Sequence, residues 1–252
     1  MAKGEAVYIK RFPWIRILEH WVHAVVFILL VITGLSQKFH TFELAQRVVL
    51  FFGGIDATRI IHRVCGVLFG ILLVLHMTIA VVGVVLLRWQ PTMLINKKDF
   101  LDAIDNLKYY FGLSNHSASC DRYDYKQKFE YWGVVMGGIL MVVTGFILWF
   151  PMIATILLPG EFVPVSRAFH TNEAMLAFLI IAIWHIYNAV FSPEVFPLDT
   201  VILTGKISRE RMLHEHPLEL AKLEGKNLEE LLREREGHCH TSGLNKPPNE
   251  RL

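Results

Sequence analysis

The chain has 252 residues, 53% of them hydrophobic, with a mean hydropathy of +0.40. This is too apolar for an ordinary soluble domain and fits a small membrane protein with polar ends. A net charge of +2 is nearly balanced and gives no reason to expect a nucleic-acid partner.

Residues 1–16 are polar and basic (Lys3, Lys10, Arg11, Arg16). A first span is predicted over about 17–36. No small-x-small cleavage site closes it, so a retained helix is expected rather than a signal peptide. The connector from Lys38 to Arg59 carries an apolar patch, Val48 to Phe52, suited to the membrane interface. A second span, about 60–87, is longer than a bilayer requires and should tilt or protrude. In the loop 88–128, Phe100, Ile104, Leu107 and Phe111 recur at helical spacing. They predict a short amphipathic surface helix that packs on the rim of the bundle rather than inserting alone.

A third span, about 129–150, ends at Pro151; its Gly133, Gly137, Gly138 and Gly145 permit close approach of a helix or cofactor. A short Pro-rich connector leads to the fourth span, about 169–191, after which Ser192–Asp199 breaks the helix. Residues 208–236 read as a charged helical tail and the last sixteen as disorder. The expected fold is an all-α membrane protein: a four-transmembrane-helix bundle (1–207), with a short amphipathic interfacial helix and a charged helical cytoplasmic tail (208–252). The N-terminal segment, the 88–128 loop and the C-terminal region hold 20 of the 25 Lys and Arg. The positive-inside rule therefore puts both termini in the cytoplasm of a bacterial inner-membrane protein.

Histidines carry the functional signal. On the second span, His62 and His76 lie fourteen residues apart, about 21 Å of helical rise and nearly on one face. On the fourth, His170 and His185 lie fifteen apart, about 22 Å. With four spans, the second and fourth run inward together. His62 and His170 then share the outer level; His76 and His185 share the inner, where His20 also falls. Ionisable groups inside a span are costly and usually functional. Two matched levels of imidazole suit two bis-histidine haems, which leave iron no open position and serve electron transfer. His40, His116, His214 and His216 read as solvated. So does His238-Cys239-His240, since it has no further ligands at metal-binding spacing. Three cysteines make no disulfide framework, and Cys-x-x-Cys-His is absent.

Several short motifs occur in a telling order: Glu19-His20-Trp21, Arg59-Ile60-Ile61-His62, the run Arg122 to Lys128, His185-Ile186-Tyr187, Gly205-Lys206-Ile207-Ser208 and His216-Pro217. From about Ile9 to Leu218 the chain resembles the cytochrome b subunit of membrane-bound formate dehydrogenases. The wider group includes the b subunits of membrane-bound nickel–iron hydrogenases. The resemblance implies two haems b, the outer held by His62 and His170, the inner by His20 and His185. Spacing alone favours His76 for the inner site, where the family pattern has no histidine, so His20 and His76 stand as competing ligands. The resemblance also implies a menaquinone site on the cytoplasmic side, near an asparagine whose place is taken here by Asp124. A carboxylate there could bond a quinol hydroxyl and carry its proton; Tyr125, Gln127 and Lys128 are further candidates.

Arg59, Arg63 and Arg167 are placed to meet haem propionates outside, and Arg16 or Lys128 inside. Glu173, one turn from His170, could relay protons, orient the imidazole or bond a neighbouring helix. These features describe an electron carrier between an iron–sulfur or multihaem c-type partner subunit at the outer face and menaquinone or ubiquinone at the inner. Substrate chemistry would lie on another subunit, and such assemblies are compatible with higher oligomers. The alternatives are a proton-coupled transporter, for which the spans are too uniformly Val, Ile, Leu and Phe, and a haem-free membrane anchor.

Overall fold

The structure, a computed structural model, describes residues 6–114, 117–193 and 195–242, the last seven of these by backbone only. Strand β1 (Tyr8–Lys10) precedes the long helix α1 (Trp14–Lys38). Then come α2 (Glu43–Phe51), α3 (Ile55–Val85), α4 (Lys97–Tyr110) and α5 (Tyr125–Trp149). A short α6 (Pro151–Leu157) leads to α7 (Phe162–Leu179), whose axis continues as π-helix through Ile180–His185 and Tyr187–Phe191. The chain ends with α8 (Val201–Thr204), β2 (Lys206–Ser208), α9 (Arg209–Glu215), α10 (Pro217–Glu224) and α11 (Leu228–Ser242).

Four helices are long and apolar enough to cross a membrane: α1, α3, α5 and the α7–π-helix continuation, Phe162–Phe191. Within lipid only such helices satisfy every backbone group internally. Each begins before its apolar stretch, because hydrogen bonding runs on through flanking polar residues such as Arg16 and Arg59. Both expected connectors also contain helix: VVLFF falls mostly within α2, and Pro151 starts α6, where its missing N–H costs nothing.

Two compact units divide the chain. The larger, Trp14–Trp89 with Trp132–Asp199, is the bundle. Helix α1 packs along α3 and touches α7. A Cβ on Gly138 of α5 would stand 3.1 Å from the Phe69 ring of α3, and one on Gly137 would stand 2.5 Å from Glu173 Oε1 of α7. The small residues expected to allow close approach do so at these positions; Gly133 faces open space. At most 17% of any span's apolar window is buried, so the outer surface is dressed for lipid.

The smaller unit comprises Met1–Pro13, Gln90–Tyr131 and Thr200–Leu252. β1 and β2 form an antiparallel ribbon with Ile9 opposite Ile207, a feature too short to register as a periodic pattern. Ile207, Met212, Leu213, Leu220 and Leu231 make a closed apolar core. The charged tail is thus a folded element. Arg11 donates to Glu219 at 3.3 Å and to the Arg122 carbonyl at 2.6 Å; Arg122 donates to Glu219 at 2.6 Å and to the Arg11 carbonyl at 2.7 Å. Three distant segments are stitched at one buried carboxylate. Helix α4 starts with a capping box between Asn96 and Asp99. Its apolar row (Phe100, Ile104, Leu107, Phe111) is exposed, while Asp99 and Asn106 are buried, an outward face that suits the bilayer interface.

Candidate functional site

Two pairs of imidazoles face one another inside the bundle. His62 of α3 and His170 of α7 have ring centroids 6.3 Å apart, with planes at 76°. His20 of α1 and His185, at the end of the first π-helical segment, have centroids 6.2 Å apart at 32°. An imidazole nitrogen sits about 2.0–2.1 Å from a bound metal such as zinc, and the ring centroid roughly 1.2 Å further. Two imidazoles on opposite sides of one iron therefore have centroids roughly 6.5 Å apart. Both pairs fit that spacing.

The hydrogen bonds around His62 and His170 favour one tautomer. The Thr33 hydroxyl donates its one proton to the Leu29 carbonyl at 2.6 Å and lies 2.9 Å from His62 Nδ1. It must accept there, so Nδ1 carries the hydrogen and Nε2 keeps its lone pair. Thr144 repeats the arrangement, donating to Leu140 at 2.7 Å and accepting from His170 Nδ1 at 2.9 Å. Gly34 and Gly145, each following its threonine, leave room for the rings: a Cβ would stand 3.2 Å from His62 Cε1 and 3.3 Å from His170 Cε1. Thr33 and Thr144 were not singled out from the sequence. The signal that points to them is a Val-x-Thr-Gly string present in both the first and third spans.

His76 is placed differently from His20. Its Nδ1 pairs with Glu19, which also binds Arg16 at 2.7 Å, and its ring lies 6.5 Å from that of His23. Matching of depth along straight helices favoured His76. The π-helical turns before and after His185 change the rotation per residue, so an angular count at α-helical pitch does not carry through the fourth span.

The remaining candidates are scattered. Arg59 lies 3.5 Å from Asp56 and is exposed; Arg63 stacks over Trp149 at 5.4 Å; Arg167 lines a shallow surface concavity with Thr171 and Asn172. Lys128 is committed to buried Asp99 at 2.8 Å. Asp124 and Gln127 close the start of α5 reciprocally: Asp124 Oδ1 accepts from the Gln127 amide at 2.7 Å, and Gln127 Oε1 from the Asp124 amide at 3.2 Å. Burial pushes the Asp124 carboxyl above its ordinary pKa.

His216 is not solvated: it is buried in the smaller unit, its Nδ1–H donating to the Asp121 carbonyl at 2.6 Å. Pro217 starts a helix whose Leu220 and Ala221 belong to the apolar core, and this draws His216 inside. His40 is on the surface as expected. His116 and the side chains of His238-Cys239-His240 lie outside the described residues.

Four membrane helices enclosing facing histidine pairs define a multi-pass membrane protein of the haem-carrying, electron-transfer kind. The family described as prokaryotic cytochrome b561 matches residues 11–200, and the chain belongs to it. It is accordingly a cytochrome b of the bacterial inner membrane. The chain is 26% identical over 203 residues to the cytochrome b556(fdo) subunit of formate dehydrogenase from Escherichia coli (strain K12), covering 79% of this chain and 86% of that protein. It is 25% identical over 210 residues to the cytochrome b556(Fdn) subunit of the nitrate-inducible formate dehydrogenase from the same strain, covering 82% and 89%.

Proposed function

We propose that this cytochrome b is a dihaem subunit of a respiratory complex, passing electrons between an outer-face redox subunit and the quinone pool at the cytoplasmic side. The observation that carries this reading is the pair of histidine pairs, at 6.3 and 6.2 Å. His62 and His170 would hold one haem b, and His20 and His185 the other. Haem b ligated by two imidazoles supplies one-electron carriage without an open iron position. Glu19 engages His76, which leaves His20 as the imidazole that faces His185.

Arg59, Arg63 and Arg167 are the cations assigned to the outer propionates. Asp124 and Gln127 are assigned to menaquinone or ubiquinone; a carboxyl raised by burial takes up a proton more readily than an exposed one. The distribution of basic segments supports a cytoplasmic position for Asp124 and Gln127. The partner would carry iron–sulfur or c-type haem centres and the substrate site; that the relatives are cytochrome b556 subunits of formate dehydrogenases supports a partner subunit of this kind. Quinone reduction at the inner face would take its protons from the cytoplasm.

The test is a reduced-minus-oxidised spectrum with haem counted per polypeptide, on wild type, His20→Ala and His76→Ala. Two haems in wild type, with one lost in His20→Ala and none in His76→Ala, is the expected result. Absence of a b-type signal sinks the reading, and loss in His76→Ala alone reassigns the inner ligand.

A further inference from the structure

We propose that the outer site is one half-site built twice, in which Thr33 and Thr144 are positioning residues that lock His62 and His170 as Nδ1–H donors and hold the haem between them at a lower potential than the inner one. This rests on the dihaem reading above. The duplication is visible in two strings. Val31-Ile32-Thr33-Gly34 of α1 matches Val142-Val143-Thr144-Gly145 of α5; Thr58-Arg59-Ile60-Ile61-His62 of α3 matches Ser166-Arg167-Ala168-Phe169-His170 of α7.

A short apolar helix, α2 or α6, lies between the strings in each half. The contacts repeat with the letters. Each threonine donates to the carbonyl four residues back and accepts from the partner histidine at the same 2.9 Å; each following glycine lies under that ring; Thr58 and Ser166 are both buried. Coincidence does not reproduce three contacts and one burial in register.

The likeness ends at the inner pair. His76 follows His62 by fourteen residues, whereas His185 follows His170 by fifteen. The extra residue falls in the span that turns π-helical, where each turn takes up more residues. His20, thirteen residues before Thr33, has Tyr131 at the corresponding place before Thr144. The inner pair is therefore not a duplicated half-site, and one of its two ligands lacks the same bracing: His20 Nδ1 is buried with no hydrogen-bond partner among the described residues.

The consequence is electronic. An imidazole that donates Nδ1–H to an oxygen becomes a more basic ligand through its other nitrogen, and a more basic ligand favours ferric over ferrous iron. Two braced ligands outside, against one unbraced ligand inside, set the outer site lower. The side of the membrane that receives electrons most easily is then the inner one.

The test is a redox titration of the b-type absorbance in membranes holding the full chain. Thr33→Val and Thr144→Val keep shape and lose the hydroxyl. Each should raise the lower-potential component alone, by similar amounts of up to about tenfold in the oxidised-to-reduced ratio, about 59 mV for one electron. The double variant should show their sum, and Thr→Ser should stay at the wild-type value. The perpendicular planes of His62 and His170 should give the more anisotropic low-spin ferric resonance, which assigns that component independently. Unmoved potentials in the double variant, or movement of the higher component, overturn the proposal. If valine costs the outer haem altogether, a serine variant that keeps haem and potential supports it, and a serine variant that loses haem overturns it. A wild type without two b-type components means instead that the dihaem reading itself has failed.

Discussion

The two units of this chain are built inside out relative to one another. The smaller follows the rule for water: Leu213, Leu220 and Leu231 are fully buried, and its inward charges are paired around Glu219. The bundle follows the rule for lipid. Most of its Val, Ile, Leu and Phe point outward, while its most buried side chains include Thr33, Thr58, Ser36, Thr144 and Ser166. Burying an apolar residue gains little where the solvent is itself hydrocarbon, so the interior is left for close packing and hydrogen bonds. One sequence thus encodes two solvents, and what each interior holds is a consequence of that choice.

The largest effect that would sharpen this contrast lies in the bundle. If the dihaem proposal holds, His62→Ala or His170→Ala should remove one of two b-type haems completely, read as haem per polypeptide, with α-helical circular dichroism retained. A lipid-solvated bundle loses a cofactor there, not its fold. Retention of both haems in either variant would break the comparison.

In the smaller unit the corresponding injury is to stability. Glu219→Ala leaves Arg11, 6% exposed, without its carboxylate, and Arg122 without its partner. Removing one member of a buried ion pair costs about 3–5 kcal/mol. Limited proteolysis of the C-terminal region should accelerate by orders of magnitude, whereas cleavage at the wild-type rate would show that water already reaches those guanidinium groups.

Acid should probe the same unit more gently. Burial, and then the positive charge of Arg11, push the His216 imidazole down to about 4. Its folded value lies below the ordinary 6.5, so on acidification the unfolded chain binds the proton first and gains from it. The contribution is whole above pH 6.5 and is lost as pH falls toward 4, roughly 3 kcal/mol in all. Thermal melts followed by protease resistance should show this slope in wild type and lose it in His216→Gln. Glu224, held at about 2 chiefly by its hydrogen bond to Arg209, adds a separate loss only below pH 4.5.

The sequence made some of this plain and hid the rest for definable reasons. Long apolar runs have no alternative to helix in lipid, and histidines within them stand out against Val and Leu, so the spans and the histidines were legible. Thr33 and Thr144 were not, because a threonine in a membrane helix ordinarily bonds its own turn; only the repeated Val-x-Thr-Gly string distinguishes them. The ring that faces His185 is that of His20, and the helical pitch changes around His185, which no period count in the sequence reports. His216 looked like tail polarity because its core, drawn from residues near both ends of the chain, exists only after folding.

The smallest expected effect tests how tightly the bundle holds its interior. A Cβ added at Gly34 would stand 3.2 Å from His62 Cε1, and one at Gly145 would stand 3.3 Å from His170 Cε1. These are closer than side chains normally pack, so each ring must yield by a few tenths of an ångström or the helices must part. Alanine in place of glycine otherwise favours a helix by about 0.8–1.0 kcal/mol. Gly34→Ala and Gly145→Ala should therefore fold as well as wild type while disturbing the angle of one imidazole, read as a shift in the outer haem's resonance without loss of haem. Since the two glycines are equivalent in the two halves, the shifts should be alike. The same change at Gly133, where a Cβ meets nothing, should leave the resonance in place. A shift at Gly133 equal to that at Gly145 would mean that the third span responds as a whole rather than through contact with His170.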